Sequence, residues 1–374
     1  MNKNPFKIGE VIDNSIFCNR KIEIKRLQQS FYDGQNTILI SPKRWGKSSL
    51  VSQAVNYSKH ELVVISLDCF ALKSVEEFYS NYLKACVIAT QGKVRIAMNK
   101  IGDILGQISP FITYTPPTEQ AGEFKIDVHL PHHFKDHSAI LEIPNTLYKK
   151  KGIPVVVCID EFQKLFELSG GKELLETLRS VWQKHTKVSY CLYGSKRHIM
   201  NLLFNSNGQP FYRFGDTLFL PKIATKDWVE FIIKNFKDTG LLVNEANAKL
   251  IVELTEGHSY YVQLLCRTVW DISEKTVAHT DIQNAYDRLL EDQTIFFKSQ
   301  TEGLTQFQVN YIRALEAGET KFGTSKVQKL YNMGTSTNIK RIEAALRDYE
   351  IIDTSGPTIM FCEPFFIPLF RRYF

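Results

Sequence analysis

An eight-residue loop constrains the fold more than any other part of the sequence. It reads Ser-Pro-Lys-Arg-Trp-Gly-Lys-Ser at residues 41–48, between the apolar run Thr37–Ile40 and a segment that predicts a helix. A buried strand, a Gly-Lys-Ser loop and a helix form a phosphate-binding P-loop, where backbone N–H groups and the helix N-terminus attract phosphate. In that setting Lys47 reaches the β- and γ-phosphates and the Ser48 hydroxyl binds Mg²⁺. Ser41 stands where the usual pattern has its first glycine.

A second nucleotide signal lies at the end of another apolar run. Residues 155–159 are followed directly by Asp160 and Glu161. Ligands of open α/β sheets bind at the carboxyl ends of buried strands, so Asp160 is expected to hold Mg²⁺ through water, opposite Ser48. Glu161 is the candidate base that orients and deprotonates the water attacking the γ-phosphate. Together the two motifs predict a site for a nucleotide and Mg²⁺.

The chain up to residue 220 alternates apolar runs with helical segments, which predicts an α/β P-loop domain with a parallel sheet. The expected strands are residues 37–40, 62–67, 155–159, 188–193 and 217–220. Residues 92–150 interrupt this pattern with Gly, Pro and polar residues and are interpreted as a surface elaboration. It contains His132, His133 and His137, for which a metal site is disfavoured because no further ligand set is nearby.

The rest of the chain predicts helices and one short hairpin. Residues 221–300 contain four helical segments, with expected caps at Thr225 and at Thr280, and are interpreted as a small helical bundle. Residues 301–374 contain three helical segments followed by two short strands, the outline of a winged helix. The expected domains are therefore 1–220, 221–300 and 301–374.

The third of these last helices is a candidate recognition helix. Its buried stripe is expected to consist of Ile339, Ile342, Leu346 and Tyr349. Its solvent-facing basic residues are expected to be Lys340, Arg341 and Arg347, and the chain ends near a further Arg371-Arg372 pair.

The composition of the chain indicates its cellular compartment but not its activity. The formal net charge of +6 permits an acidic partner without requiring one. The seven cysteines form no Cys-x-x-Cys pair, which is typical of a reducing compartment. No stretch approaches the roughly 18 apolar residues of a membrane span, so we expect a cytoplasmic protein without membrane association.

These motifs resemble the archaeal-type ATPases of the STAND branch of AAA+ proteins, relatives of the Orc1/Cdc6 initiator ATPases. Residues 42–50, Pro-Lys-Arg-Trp-Gly-Lys-Ser-Ser-Leu, are similar to that family's G-P-R-R-W-G-K-T-S-L. Residues 160–163, Asp-Glu-Phe-Gln, match its D-E-[FW]-Q Walker B extension. Residues 17–27 resemble its F-x-G-R-x-x-E…L segment, which lies by the adenine and here contains Arg20.

The resemblance implies a set of site residues. Those expected to bind the nucleotide are Arg20, Ser41, Pro42, Lys43, Arg44, Trp45, Gly46, Lys47, Ser48, Ser49 and His258. Those expected to act in hydrolysis are Lys47, Glu161, Ser195 and Arg213. The resemblance also implies that the helical bundle of residues 221–300 is the family's helical lid. His258 belongs to a segment similar to the G-x-P motif of that lid, with Ser259 in place of proline.

Two of these assignments have alternatives. Ser195 occupies the sensor-1 position of the family, or it caps the helix that follows. Arg213 is a phosphate sensor or an arginine finger acting in its own or a neighbouring subunit, or a surface arginine.

The function expected from the sequence is a slowly hydrolysing Mg-ATP switch that couples nucleotide state to the lid and winged helix. One alternative is a winged-helix DNA-binding regulator whose conformation ATP sets. A second, suggested by Ser41, is a degenerate ATPase kept as a scaffold. The sequence leaves open whether the partner besides ATP or ADP is DNA or protein, and whether the chain oligomerises.

Overall fold

The computed structural model describes residues 3–9, 17–58, 61–91, 112–115, 125–128, 130 and 137–374. The chain divides into two compact units. The first comprises Met1–Asn19, Arg44–Gly46 and Pro221–Phe374, and the second comprises Arg20–Lys43 and Lys47–Leu220.

The second unit alternates helices with strands. In chain order its elements are α1 (Lys21–Asp33), β1 (Thr37–Ile40), α2 (Lys47–Ser58), β2 (Val63–Asp68), α3 (Val75–Gln91), β3 (Ile112–Thr115), β4 (Lys125–Val128), α4 (His137–Leu141), α5 (Ile143–Lys151), β5 (Val155–Asp160), α6 (Lys164–Glu167), α7 (Gly171–Trp182), β6 (Val188–Gly194), α8 (Arg197–Asn205) and β7 (Asp216–Phe219).

Five of these strands form one parallel sheet in the order β2-β5-β6-β1-β7. Strands β1 and β6 are buried along their whole length, as expected for a sheet covered on both faces. Because β6 lies between β1 and β5, the segment after β6 emerges between the loop after β1 and the residues that follow β5. The parallel α/β sheet predicted from the apolar runs is confirmed, with strand ends shifted by at most one residue.

The interruption at residues 92–150 contains more regular structure than the sequence indicated. Its described part holds an antiparallel pair, β3 with β4, and the helices α4 and α5. His132 and His133 lie outside the described residues. His137 begins α4, and its ring stacks on Tyr79 with 4.0 Å between ring centroids.

Helices dominate the first unit. Its elements are α9 (Thr225–Asp238), α10 (Glu245–Leu254), α11 (Ser259–Ile272), α12 (His279–Thr301), α13 (Gln306–Glu316), α14 (Ser325–Leu330), α15 (Ser336–Asp348), β8 (Ile352–Asp353), β9 (Met360–Phe361) and α16 (Phe366–Tyr373). One apolar core extends through the unit from Phe6 to Phe370. No helix in the described part of the chain is both long and apolar enough to cross a membrane.

The predicted helix caps of the first unit are corrected by the structure. Helix α12 begins at His279 instead of at Thr280, and the Asp281 carboxylate accepts a hydrogen bond from the backbone N–H of Ala278 at 2.9 Å. Thr225 is already the first residue of α9 and makes no capping bond. A carboxylate three residues into a helix can satisfy the N–H before it whatever residue stands at the cap.

Two expectations about α15 are also wrong. Tyr349 is 48% exposed because α15 ends at Asp348, so Tyr349 leaves the helical spacing that would bury it. Arg347 is only half exposed, and its guanidinium lies 3.5 Å from the Thr354 hydroxyl. The terminal helix α16, amphipathic around Phe366 and Phe370, was not predicted.

Candidate nucleotide and magnesium site

The loop between β1 and α2 accommodates serine at its first position. Ser41 is buried, its backbone is outside the left-handed region, and its hydroxyl donates to the Pro42 carbonyl at 3.2 Å. The left-handed residues of the loop are Arg44, with φ 61°, and Gly46, with φ 91°. With the larger φ, position 46 favours glycine, whereas the backbone at position 41 does not call for it.

Lys47, the first residue of α2, folds back onto its own loop. Its buried ammonium donates to the Pro42 carbonyl at 3.2 Å and contacts the Ser41 carbonyl at 3.5 Å. Burial lowers the pKa of Lys47, while Glu161 and Asp160 oppose that effect. Two weak carbonyl contacts leave this ammonium able to exchange them for the stronger acceptors of a phosphate.

Ser48 and Asp160, separated by 112 residues in the sequence, are in direct contact. The Ser48 hydroxyl donates to the Asp160 carboxylate at 2.6 Å, and the backbone N–H of Glu161 donates to the other carboxylate oxygen at 2.8 Å. Burial raises the pKa of Asp160, and the hydrogen bond from Ser48 opposes the rise. A hydroxyl and a carboxylate are hard oxygen donors, the kind that Mg²⁺ prefers, so these residues fit that ion.

Glu161 lies beside this pair, and two donors hold its carboxylate. The Ser195 hydroxyl donates to Oε2 of Glu161 at 2.9 Å, and the side-chain amide of Gln163 donates to the same oxygen. Ser195 does not cap α8, because Lys196 stands at the cap position of that helix and makes no side-chain capping bond. The Glu161 backbone is in the left-handed region, with φ 50°.

Two residues in this cluster were missed as site residues. Gln163 is fully buried, and Gly194 ends β6 where a β-carbon would overlap the Gln163 amide oxygen. Gln163 was visible in the sequence as the last residue of the Asp-Glu-Phe-Gln motif. Gly194 had no comparable signal, because its role depends on the pairing of β5 with β6.

Arg20 and Arg213 each contact a neighbour in their own segment. Arg20 is buried just before α1, and its guanidinium lies 3.2 Å from the Glu23 carboxylate. Arg213 is exposed, has φ 53°, and places its guanidinium over the Tyr212 ring, 5.1 Å from the centroid. Their predicted roles toward a nucleotide stay predictions.

The middle of the loop makes its own contacts within the first unit. The Arg44 guanidinium lies 4.7 Å from the centre of the Tyr260 ring and 3.5 Å from the Glu363 carboxylate. The Trp45 carbonyl lies 3.4 Å from the Ser259 hydroxyl. Of the other predicted loop residues, Lys43 is exposed and Ser49 is buried in the first turn of α2.

His258, predicted to contact the nucleotide, is buried in the first unit next to Trp45. The two rings meet edge to face with 6.3 Å between centroids, and His258 precedes α11 at its cap position. Burial, together with the positive charges of Lys222 and Arg44, lowers the pKa of His258 to about 3. Its imidazole is therefore neutral in the folded protein at neutral pH.

Comparisons with known proteins identify the family of the chain. The family described as an ATPase domain predominantly from Archaea matches residues 17–265. A comparison with curated protein sequences gives no significant match.

Solved structures share the fold at low sequence identity. A Walker-type ATPase of Pyrococcus abyssi superposes with a TM-score of 0.69 at 19% identity, covering 98% of this chain and 99% of that chain. The Aeropyrum pernix ORC2 protein, solved with ADPNP and ADP, gives 0.60 at 13% identity, covering 98% of each chain. The Aeropyrum pernix ORC1 protein, solved with DNA, gives 0.51 at 13% identity, covering 96% of this chain and 93% of that chain.

Proposed function

We propose that the chain, which belongs to the family of ATPase domains found predominantly in Archaea, binds Mg-ATP and hydrolyses it slowly as a molecular switch. The observation that carries the proposal is the 2.6 Å contact between the Ser48 hydroxyl and the Asp160 carboxylate, with Glu161 next in the chain. Two sequence signals that were inferred separately are joined by that contact, at the carboxyl edge of the parallel sheet.

Different residues bind the nucleotide and catalyse its hydrolysis. Lys47 and the N–H groups at the start of α2 bind the phosphates, and Ser48 with Asp160 holds the metal. Mg²⁺, when bound, neutralises charge on the β- and γ-phosphate oxygens. Glu161 orients the attacking water and accepts its proton through the carboxylate oxygen that neither Ser195 nor Gln163 contacts.

The proposed switch involves the helices and the hairpin that follow residue 220. We assign residues 1–220 to a STAND-type ATPase domain, 221–300 to a lid and 301–374 to a winged helix. The order of helices α9–α15 and the hairpin of β8 and β9 supports that assignment. Because Arg44–Gly46 belong to the first unit, a change of loop conformation on nucleotide binding would act on the contacts of Arg44 and Trp45 there. We further propose a cytoplasmic location.

Nucleotide binding and phosphate release measured on Glu161→Gln test the proposal. This variant keeps the size and polarity of the side chain but cannot accept the proton, so we expect unchanged Mg-ATP affinity and a turnover about 10²–10⁴-fold lower. Glu176→Gln, on the exposed side of α7, is the matched control and should behave as wild type. A wild-type protein that binds Mg-ATP but releases no more phosphate than Glu161→Gln would leave only the scaffold function.

A DNA-binding regulator is the second candidate, favoured by the exposed Lys340 and Arg341 on α15. The terminal arginines favour it less, because Arg371 pairs with Glu316 and Arg372 with Asp287. The structurally similar ORC1 protein was solved with DNA.

Salt-dependent binding to duplex DNA tests this second candidate. Each lost phosphate contact reduces the slope of log affinity against log salt by about 0.9. Lys340→Gln/Arg341→Gln should therefore bind DNA more weakly and with a shallower slope than Lys172→Gln/Lys184→Gln, which changes exposed lysines of the second unit. Equal affinities and slopes for the two double variants would exclude α15 as the DNA-binding surface.

A further inference from the structure

We propose that Gln163 is a positioning residue that holds Glu161 in its catalytic orientation, and that Gly194 is required because it makes room for the Gln163 amide. This inference rests on the proposed ATPase function. It adds two residues to the site, neither of which binds nucleotide or metal in the proposed mechanism.

The first observation is that both donors converge on one oxygen. The Ser195 hydroxyl and the Gln163 amide both donate to Oε2 of Glu161. A carboxylate held through one oxygen keeps the other oxygen as the acceptor for the proton of the attacking water. Two donors from different segments, one after β5 and one after β6, also fix the direction in which that second oxygen points.

The second observation is the cost of burying Gln163. The side chain is fully buried, and within the described residues its amide oxygen has no hydrogen-bond partner. A buried polar atom without a partner opposes folding, whereas the bond that the amide donates to the Glu161 carboxylate favours it, and the two effects are of similar size. Glutamine therefore contributes little net stability here. A buried polar side chain that adds little to stability is typical of a functional site.

The third observation is the tight fit between Gly194 and Gln163. A β-carbon at Gly194 would overlap the Gln163 amide oxygen and lie 3.0 Å from the Met200 sulfur. The Gly194 backbone is not left-handed, so alanine fits the main chain there and its methyl group would meet the end of the Gln163 side chain first. Gly194→Ala is therefore a means of displacing the amide without changing Gln163.

The first test separates a positioning role from a structural one by combining turnover, affinity and stability. For Gln163→Met we expect kcat to fall about 10–100-fold, as for a misplaced catalytic group. The Mg-ATP affinity should stay within about twofold of wild type, and the melting temperature should be close to that of wild type. The matched control is Gln28→Met, which removes a 3.1 Å hydrogen bond to Ser58 elsewhere in the same unit and should leave kcat unchanged.

The second test uses pH. In Gln163→Glu the introduced carboxyl can donate to Glu161 only while it carries a proton. The kcat of this variant should therefore rise relative to Gln163→Met as the pH is lowered from 8 to 6. A purely structural role for Gln163 gives no such pH-dependent recovery.

The third test is a double-mutant cycle. If Gly194→Ala acts by displacing Gln163, it should lower kcat about as much as Gln163→Met. The double variant should then be no worse than either single variant, because both disturb one contact.

The outcomes distinguish this inference from the function on which it rests. If wild type hydrolyses ATP and Glu161→Gln does not, but Gln163→Met matches wild type, the positioning role is wrong and the ATPase proposal stands. A faster Gln163→Met would also overturn it, since Gln163 would then restrain Glu161. If wild type itself releases no phosphate above Glu161→Gln, both proposals fail. The inference is supported by a lower kcat at unchanged affinity and stability, together with the pH-dependent recovery in Gln163→Glu.

Discussion

Replacing Ser48 by alanine tests how the metal site is built. The change removes the hydroxyl that lies 2.6 Å from Asp160 and leaves that carboxylate with the backbone N–H of Glu161. A hydrogen bond to a charged group contributes about 1.5–3 kcal/mol, and the half-buried position of Asp160 places the loss near 1.5 kcal/mol. We therefore expect the free energy of unfolding of the nucleotide-free variant to be lower than that of wild type by about 1.5 kcal/mol at neutral pH.

The pH dependence of this loss has a definite sign. Burial raises the pKa of Asp160, and the Ser48 hydrogen bond is the largest effect opposing the rise. Without that bond the pKa of Asp160 rises further. A carboxyl whose pKa is raised in the folded state stabilises the protein most at low pH. This contribution to the free energy of unfolding is lost as the pH rises through the folded-state pKa. The difference in unfolding free energy between wild type and Ser48→Ala should therefore be smaller at pH 5 than at pH 7.5, measured by denaturant titration.

The same variant tests whether Ser48 holds Mg²⁺. Removing a group that supports a metal site costs about 10–100-fold in metal affinity. Calorimetric titration with ATP, in Mg²⁺ and in EDTA, should show Mg²⁺ tightening ATP binding to wild type and much less to Ser48→Ala. Ser48→Thr keeps the hydroxyl and should behave as wild type. If Ser48→Ala retains the full Mg²⁺ effect, Ser48 does not hold the metal.

Two further changes test other parts of the structure. Since the folded His258 stays neutral, with a pKa of about 3, while the unfolded chain takes up a proton below pH 6.5, acid should favour unfolding. Between the unfolded-state pKa of 6.5 and pH 5, about 1.5 pH units at 1.36 kcal/mol per unit, the free energy of unfolding of the wild type should therefore fall by roughly 2 kcal/mol through this residue. Denaturant titrations of His258→Gln should show that much less pH dependence, and an unchanged dependence would contradict the assignment. Phe211→Ala removes a fully buried ring that packs on Phe162 and Trp182. The free energy of unfolding should therefore fall by about 3–5 kcal/mol. A loss below about 1 kcal/mol would show that the ring is not part of a tightly packed core.

The parts of the site that the sequence predicts are local ones. The strand, loop and helix around Lys47 are contiguous, and the run before Asp160 is apolar enough to predict a buried strand by itself. Their meeting follows from the rule that parallel strands end at one edge of a sheet. The sequence alone therefore predicts that Ser48 lies opposite Asp160, and in the structure the Ser48 hydroxyl donates to the Asp160 carboxylate at 2.6 Å.

The parts that the sequence did not predict depend on packing between distant segments. Gln163 and Ser195 can contact the same oxygen of Glu161 only because β6 lies beside β5. No local sequence pattern indicates this contact. Tyr349 fits the helical spacing of α15, but the helix ends one residue too early to bury it. The resemblance to a family motif predicts a role for Arg213, and it gives no information on where an exposed guanidinium lies.

The most direct test of the account is single-turnover hydrolysis, with protein in excess over γ-labelled ATP and Mg²⁺ present. Wild type should release phosphate with first-order kinetics, at a rate at least about 100-fold above that of Glu161→Gln, while both proteins bind ATP equally well. If Ser48 and Asp160 act through the metal as proposed, EDTA should abolish the wild-type release. Equal rates for the two proteins, at saturating binding of Mg-ATP, would contradict the assignment of Glu161 as the catalytic base.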